Sequence, residues 1–143
     1  MTDTLTSLLP QLAAGAAHTH ALGFSYEALD GDSVTLRAPY RDDLVGDPGT
    51  GVLAGGLVTA MLELTATAQL VLLHPRARLP RPINVTVAYL RSGKPVDTFA
   101  RAHVSKAGRR VANVTAEAWQ DERGQPIATL TAHFLLDNPR DET

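Results

Sequence analysis

Cysteine is absent from the 143 residues, which excludes disulfides, thiolate metal sites and a cysteine nucleophile together. Aromatic side chains are scarce, at 5%. There is no basic excess either: the formal net charge is −2, whereas a nucleic-acid binder carries a basic patch or a raised pI. Residues 1–15 hold no basic leader ahead of their short apolar run, so no secretory signal is expected, and a cytoplasmic location is the default. Asn84-Val-Thr86 and Asn113-Val-Thr115 match glycosylation acceptors, a pattern without consequence if the chain is not secreted. The P-loop pattern is missing, and no repeat, linker or low-complexity segment breaks the chain.

What is present suits a single globular domain over residues 1–143, with a core at about 20–136. At 44% hydrophobic and 20% charged, the chain can bury a real core and is not disordered. Its organising stretch is 55–74, GGLVTAMLELTATAQLVLLH, rich in helix formers and free of proline. At helical spacing Leu57, Met61, Leu64, Ala68 and Val71 make an apolar stripe, with Val58, Leu62 and Leu72 beside it. The opposite stripe, Gly56, Thr59, Ala60, Glu63, Ala66, Thr67 and Leu70, is built mostly of small side chains. The stretch reads as a buried central helix, too short and too polar for a membrane span. It ends at His74-Pro75, because proline disfavours helical geometry in its predecessor.

Around that helix the pattern changes to alternation. Residues 5–17 predict a short helix, and 24–29 and 33–38 predict two strands joined at Asp30-Gly31-Asp32. A loop over 39–54 leads into the helix. Four strands follow, over 83–91, 97–106, 109–121 and 126–136, with connections short enough to imply antiparallel neighbours. An alanine-rich face collects Ala88 and Leu90, Ala100, Ala102 and Val104, Ala112 through Ala118 at alternate positions, and Ala128, Leu130, Ala132 and Phe134. The other face is mixed, with Arg101, His103, Glu117 and His133 beside Val85, Val87, Phe99 and Trp119. One long helix on a curved antiparallel sheet, an α+β architecture, is what these patterns imply. Residues 138–143 read as a frayed tail.

Glu63 is the only formally charged residue in the central stretch. It fits two roles: a structural carboxylate paired with an arginine, or a general base or nucleophile whose apolar surroundings sharpen its pairing with a reacting group. Gly55-Gly56 fits simple helix-start chemistry. It also fits an oxyanion site, because the first amides of a helix lack intrahelical acceptors and point outward. Lys106-Ala-Gly108-Arg109-Arg110 makes a basic turn, and Arg91 ends another strand; both suit solvent or the phosphates of a nucleotide-bearing ligand. Gly49-Thr-Gly51-Val-Leu-Ala54 matches a dinucleotide fingerprint by letters alone, since that fingerprint requires a strand immediately before and a parallel βαβ unit afterwards, and this chain runs into a meander. His18 and His20, His74, His103 and His133 form no convincing metal or catalytic set.

Four passages together resemble the hotdog-fold thioesterases of the phenylacetate-pathway (PaaI-like) family. They are Gly51-Val-Leu-Ala54-Gly55-Gly56 with Glu63 seven residues later, Val87-Ala-Tyr89-Leu90-Arg91, Lys106-Ala-Gly108-Arg109-Arg110, and Asp121-Glu-Arg-Gly124-Gln-Pro-Ile127-Ala128. The resemblance implies a long central helix wrapped by a curved six-stranded antiparallel sheet. It further implies acyl-CoA substrates, and homodimers or homotetramers with active sites at the dimer interface. On that likeness Glu63 is the base or nucleophile and the Gly56 amide, beside Gly55, polarises the thioester carbonyl. Thr59, Ala60 and Thr67 then flank the acyl group, and Arg91, Lys106, Gly108, Arg109 and Arg110 lie near the CoA phosphates. Coenzyme A enters as part of the substrate, and no metal or other cofactor is implied. Members commonly read His-Gly-Gly at the helix start; here Ala54 replaces the histidine. Pro48, beside Asp47, stands where many carry Asn or Gln. Those orienting side chains are thus replaced, while the amide and the carboxylate remain. The expectation is an acyl-CoA thioesterase; the alternative is a non-catalytic acyl-CoA-binding hotdog protein. A dehydratase of this fold would employ a histidine, and none lies near the helix start.

Overall fold

The structure, a computed structural model, describes residues 23–30, 33–47, 49, 51–73 and 80–136. The expected helix over 5–17, the turn at 31–32, His18, His20, Pro48, His74-Pro75 and the tail lie outside the described residues. One helix, α1 (Gly55–Leu73), packs on a six-stranded antiparallel sheet. The strands are β1 (Ser25–Asp30), β2 (Ser33–Ala38), β5 (Arg81–Tyr89), β6 (Thr98–Ala107), β7 (Val111–Trp119) and β8 (Ala128–Leu135). They lie in the order β1-β2-β6-β7-β8-β5.

The alanine face is the core face, as the alternation predicts. Ala100, Ala102, Ala112, Ala116, Ala118, Ala128 and Ala132 are all buried, with Val114, Leu130 and Phe134 between them. Small side chains on the sheet let α1 settle chiefly across β6 and β7, with β2 alongside, and most of its stabilisation comes from this burial of apolar surface. The outer face is the mixed one: Phe99 stacks on Trp119 with ring centroids 6.1 Å apart, and Arg101 stands opposite Glu117 in the strand register.

Five expectations need correction. Short links predict that β5 and β6 are neighbours, yet β5 pairs with β8 along the edge. Residues 90–97 between them are eight in number, and an extended eight-residue segment reaches about 26 Å, enough to pass the ends of β8 and β7. The face of β5 is also reversed by one residue. Val85 opposes Ala132 and Val87 opposes Leu130, so the β-branched valines point to the core and Ala88 and Leu90 point away; Leu90 is 55% exposed.

The loop over 39–54 is more structured than its Asp and Gly content suggests. It holds a 3-10 turn, Asp42–Leu44, and a two-stranded antiparallel sheet of β3 (Val45–Asp47) and β4 (Val52–Leu53). Gly51 turns the chain with φ 75°, a value that favours glycine.

The buried side of α1 is rotated from the predicted stripe. Ala66 and Leu70 are fully buried, as are Thr65 and Gln69, while Leu64 and Val71 are half-buried. The two polar residues tolerate the core because they are satisfied there. The Thr65 hydroxyl donates to the Met61 carbonyl at 2.7 Å, and Gln69 Oε1 accepts from the Val34 amide at 3.1 Å. By length and composition α1 could in fact cross a membrane, contrary to the expectation. Ten of its 19 residues are buried in this fold, as suits a core helix.

Candidate active site at the helix start

β4 delivers the chain to the helix. The Leu53 amide donates to the Gly93 carbonyl at 3.0 Å, and a Cβ on Gly93 would come within 3.2 Å of the Leu53 side chain. This close approach ties the helix entrance to the β5–β6 connection. The Leu57 amide then donates to the Ala54 carbonyl at 3.1 Å. The amides of Gly55 and Gly56 belong to the first turn, where no intrahelical acceptor exists, and they have no partner among the described residues. Nothing lies within 4 Å of where a Gly56 Cβ would stand. An acceptor oxygen can therefore reach that N–H without obstruction.

An open cleft of about 440 Å³ sits beside this turn, lined among others by Leu53, Gly55, Val58, Tyr89, Arg91 and Ile127. Its walls mix polar and apolar surface, and the exposed Arg91 is among the residues that line it. Tyr89 is a residue that sequence reasoning quoted but gave no role. Its hydroxyl donates to the Gly55 carbonyl at 3.2 Å and hydrogen-bonds Thr59 Oγ1. Partners 34 and 30 positions away in sequence leave no local signal by which a reader could have found this contact.

Seven residues make almost two whole helical turns, so Glu63 lies on the same face of α1 as Gly56, about 10 Å further along the axis. Glu63 is half-buried. Among the described residues no side chain forms an ion pair with it. Thr59, Ala60 and Thr67 share this half-buried face. The Thr67 hydroxyl is committed to the Glu63 carbonyl at 2.9 Å, so toward a ligand Thr67 offers chiefly its methyl group.

The basic turn lies elsewhere. Tyr89, Ala128 and Ala118 form one cross-strand row, and Arg81, Leu135 and Val111 form another. From Ala118 to Val111 the sheet runs roughly 23 Å. Arg109 and Arg110 turn beyond the Val111 row, Gly108 meets Val111 at it and Lys106 stands opposite Asn113 just inside it, all at the opposite end of the sheet from Gly55 and Arg91. Within one protomer the structure thus brings Gly55, Gly56, Thr59, Ala60 and Arg91 together with Glu63 nearby, and leaves the basic turn distant. His103 and His133 lie on the outer face, where His133 Nδ1 meets Asn84 Oδ1 at 2.7 Å. No group of three His, Asp or Glu among the described residues could hold a metal.

Comparisons with known proteins accord with this geometry. Residues 46–135 match the family model described as the acyl-CoA thioesterase N-terminal domain. No curated protein matches the chain. Among solved structures, a protein from Pseudomonas aeruginosa is 27% identical, with 92% of this chain and 98% of that one covered and a TM-score of 0.81. A phenylacetic acid degradation-related protein from Ralstonia eutropha is 25% identical over 92% of this chain and 98% of its own, with a TM-score of 0.76. A thioesterase family protein from Silicibacter pomeroyi, at 23% identity, covers 94% and 98% with a TM-score of 0.79 and shares the fold. With the helix-on-sheet architecture and the family match running through β3, α1 and β8, this chain belongs to the acyl-CoA thioesterase family and has its hotdog fold.

Proposed function

We propose that the protein hydrolyses acyl-CoA thioesters at a site shared by two copies of the chain. The observation that carries this reading is Glu63: a half-buried carboxylate on the central helix, without an ion pair among the described residues, in line with an unpartnered Gly56 amide. The thioester oxygen accepts a hydrogen bond from the Gly56 N–H, which stabilises the negative charge that grows there in the transition state. Glu63 takes a proton from water as the oxygen attacks the carbonyl carbon. The tetrahedral intermediate then collapses, breaking the C–S bond, and the thiolate of CoA leaves and is protonated. Direct attack by Glu63, giving a mixed anhydride that water opens, uses the same two groups. Neither route requires a metal or redox group.

The separation along α1 favours a shared site. At about 10 Å apart on one axis, the Gly56 amide and the Glu63 carboxylate are poorly spaced to address one carbonyl within a protomer. β5 offers the remedy. It is an edge strand, exposed over most of its length, with Ile83 and Tyr89 at 55% and 58% exposure. A twofold copy pairing antiparallel on that edge reverses the sheet ends. The copy's basic turn then approaches this protomer's helix start, and the copy's α1 runs opposite to this one. Lys106, Arg109 and Arg110 from one subunit would thereby serve the CoA phosphates beside Gly56 of the other.

The test is hydrolysis of a panel of short, long and aromatic acyl-CoA thioesters by the wild-type protein and Glu63→Gln. Turnover lost in the variant, with the fold intact, supports the enzyme. Ala54, an apolar residue at the helix entrance, motivates a second reading, a CoA-thioester binder without turnover. Thermal stabilisation by acyl-CoA in the absence of hydrolysis would identify that protein instead.

A further inference from the structure

The geometry points to Tyr89 as a positioning residue that aims the Gly56 amide at the reacting carbonyl, an inference that rests on the thioesterase reading of the helix start. The Gly55 carbonyl and the Gly56 N–H belong to the same peptide unit. That unit is planar and trans, so its C=O and N–H point in opposite, fixed directions. Whatever holds the Gly55 oxygen also sets where the Gly56 N–H points. Tyr89 holds it: the phenol donates to that oxygen at 3.2 Å. Since the phenolic proton is used there, the hydrogen bond between Tyr89 and Thr59 is donated by the threonine. A single line of donors runs from Thr59 through Tyr89 to the Gly55 carbonyl.

Two adjacent glycines make such a tie necessary. Without Cβ atoms they have more backbone freedom than any other pair, and they occupy the first turn of a helix, which frays most readily. The Tyr89 hydroxyl and ring edge lie 3.4–3.5 Å from where a Gly55 Cβ would stand, close beside the residue it steadies. Tyr89 is itself fixed by the pairing of β5 with β8, opposite Ala128. The sheet thus adds an anchor from outside the helix to a carbonyl that also takes its place in the first intrahelical bonds of α1. Donation to the carbonyl also polarises the peptide and strengthens its N–H as a donor.

Tyr89→Phe removes only the hydroxyl. It should lower kcat on the order of tenfold and leave KM within about twofold, the pattern of a lost transition-state interaction. Thr59→Val should cost less, and the double variant should be no worse than Tyr89→Phe alone, because both act through one line of contacts. In protein labelled with 15N-glycine, the Gly56 amide resonance should move upfield and exchange faster in Tyr89→Phe, with or without substrate. Wild-type kcat in Tyr89→Phe with an unmoved Gly56 resonance overturns the inference, as does a change confined to KM. If the wild-type protein hydrolyses no thioester, the thioesterase reading falls and the Gly56 resonance alone decides the positioning role. Should Tyr89→Phe fail to fold, Thr59→Val carries the same measurements with a smaller expected effect, a kcat loss of less than about tenfold with a smaller upfield move of the Gly56 resonance; wild-type kcat with an unmoved resonance in that variant then overturns the inference.

Discussion

At the scale of single residues, Glu63 and Asp97 show how differently two carboxylates are used. Asp97 is fully engaged: its Oδ1 accepts from the Tyr40 amide at 2.7 Å, and its Oδ2 accepts from Arg37 Nε at 2.9 Å. The Tyr40 amide first, then the Arg37 guanidinium, hold its carboxyl below the usual carboxylate range. A carboxyl depressed in the folded state stabilises the protein above its unfolded value, near 3.9, and loses that contribution as the pH falls through the folded value. Wild type should therefore be more stable than Asp97→Asn at pH 7, by about 1 kcal/mol. The gap should close below about pH 4, as thermal unfolding between pH 3 and 7 would show. Glu63→Gln should behave in the opposite way, with thioester turnover down at least about a hundredfold and an unfolding midpoint close to wild type. As candidates, Glu63 and Gly56 are legible in the sequence because a lone charge in an apolar helix and a doubled glycine are local signals. Tyr89 was not, because its role arises only when β5 folds back onto the helix start.

At the scale of elements, period-two alternation identified all six strands of the main sheet to within a few residues. It could not tell which strands are neighbours. The eight residues after β5 reach past two strands, and a count of residues alone does not say so. Nor could alternation choose the face of β5, where Val85, Val87 and Tyr89 compete with Ala88 and Leu90; pairing with β8 decided it. The small sheet of β3 and β4 went unseen because strands of three and two residues carry no period. Gln69 shows the same limit for the helix: it falls in neither stripe read from the spacing, yet its bond to the Val34 amide places it inside. Gln69→Leu keeps the volume roughly constant but leaves a buried N–H without an acceptor. It should cost about 1–3 kcal/mol, read from the midpoint of urea unfolding, with little change in the slope.

At the scale of the whole molecule, the proposed site needs two chains, with Glu63 from one and Gly56 from the other. Complementation follows. Gly56→Pro removes the amide donor where proline is tolerated, in the first helical turn, and Glu63→Gln removes the base. Each variant alone should be inactive. In a dimer containing one of each, one site carries both defects and the other carries neither. Unfolding and refolding an equal mixture should thus restore about a quarter of wild-type activity, from statistical pairing of twofold dimers. A mixture that stays inactive, although mixed dimers are present by native mass spectrometry, would place both groups in the same subunit.

The bare margin of β5 has a consequence before any chemistry begins. Only its first residues are protected, by Pro82, which has no amide proton, and by an irregularity in pairing between Pro82 and Asn84. The rest is an adhesive flank on each newly made chain, able to accept a sibling or a stray strand from any unfolded neighbour. How much active protein a cell obtains would then depend on a race between correct assembly and entanglement. Slower synthesis at lower temperature should tilt that race toward soluble product, without altering one contact inside the finished subunit.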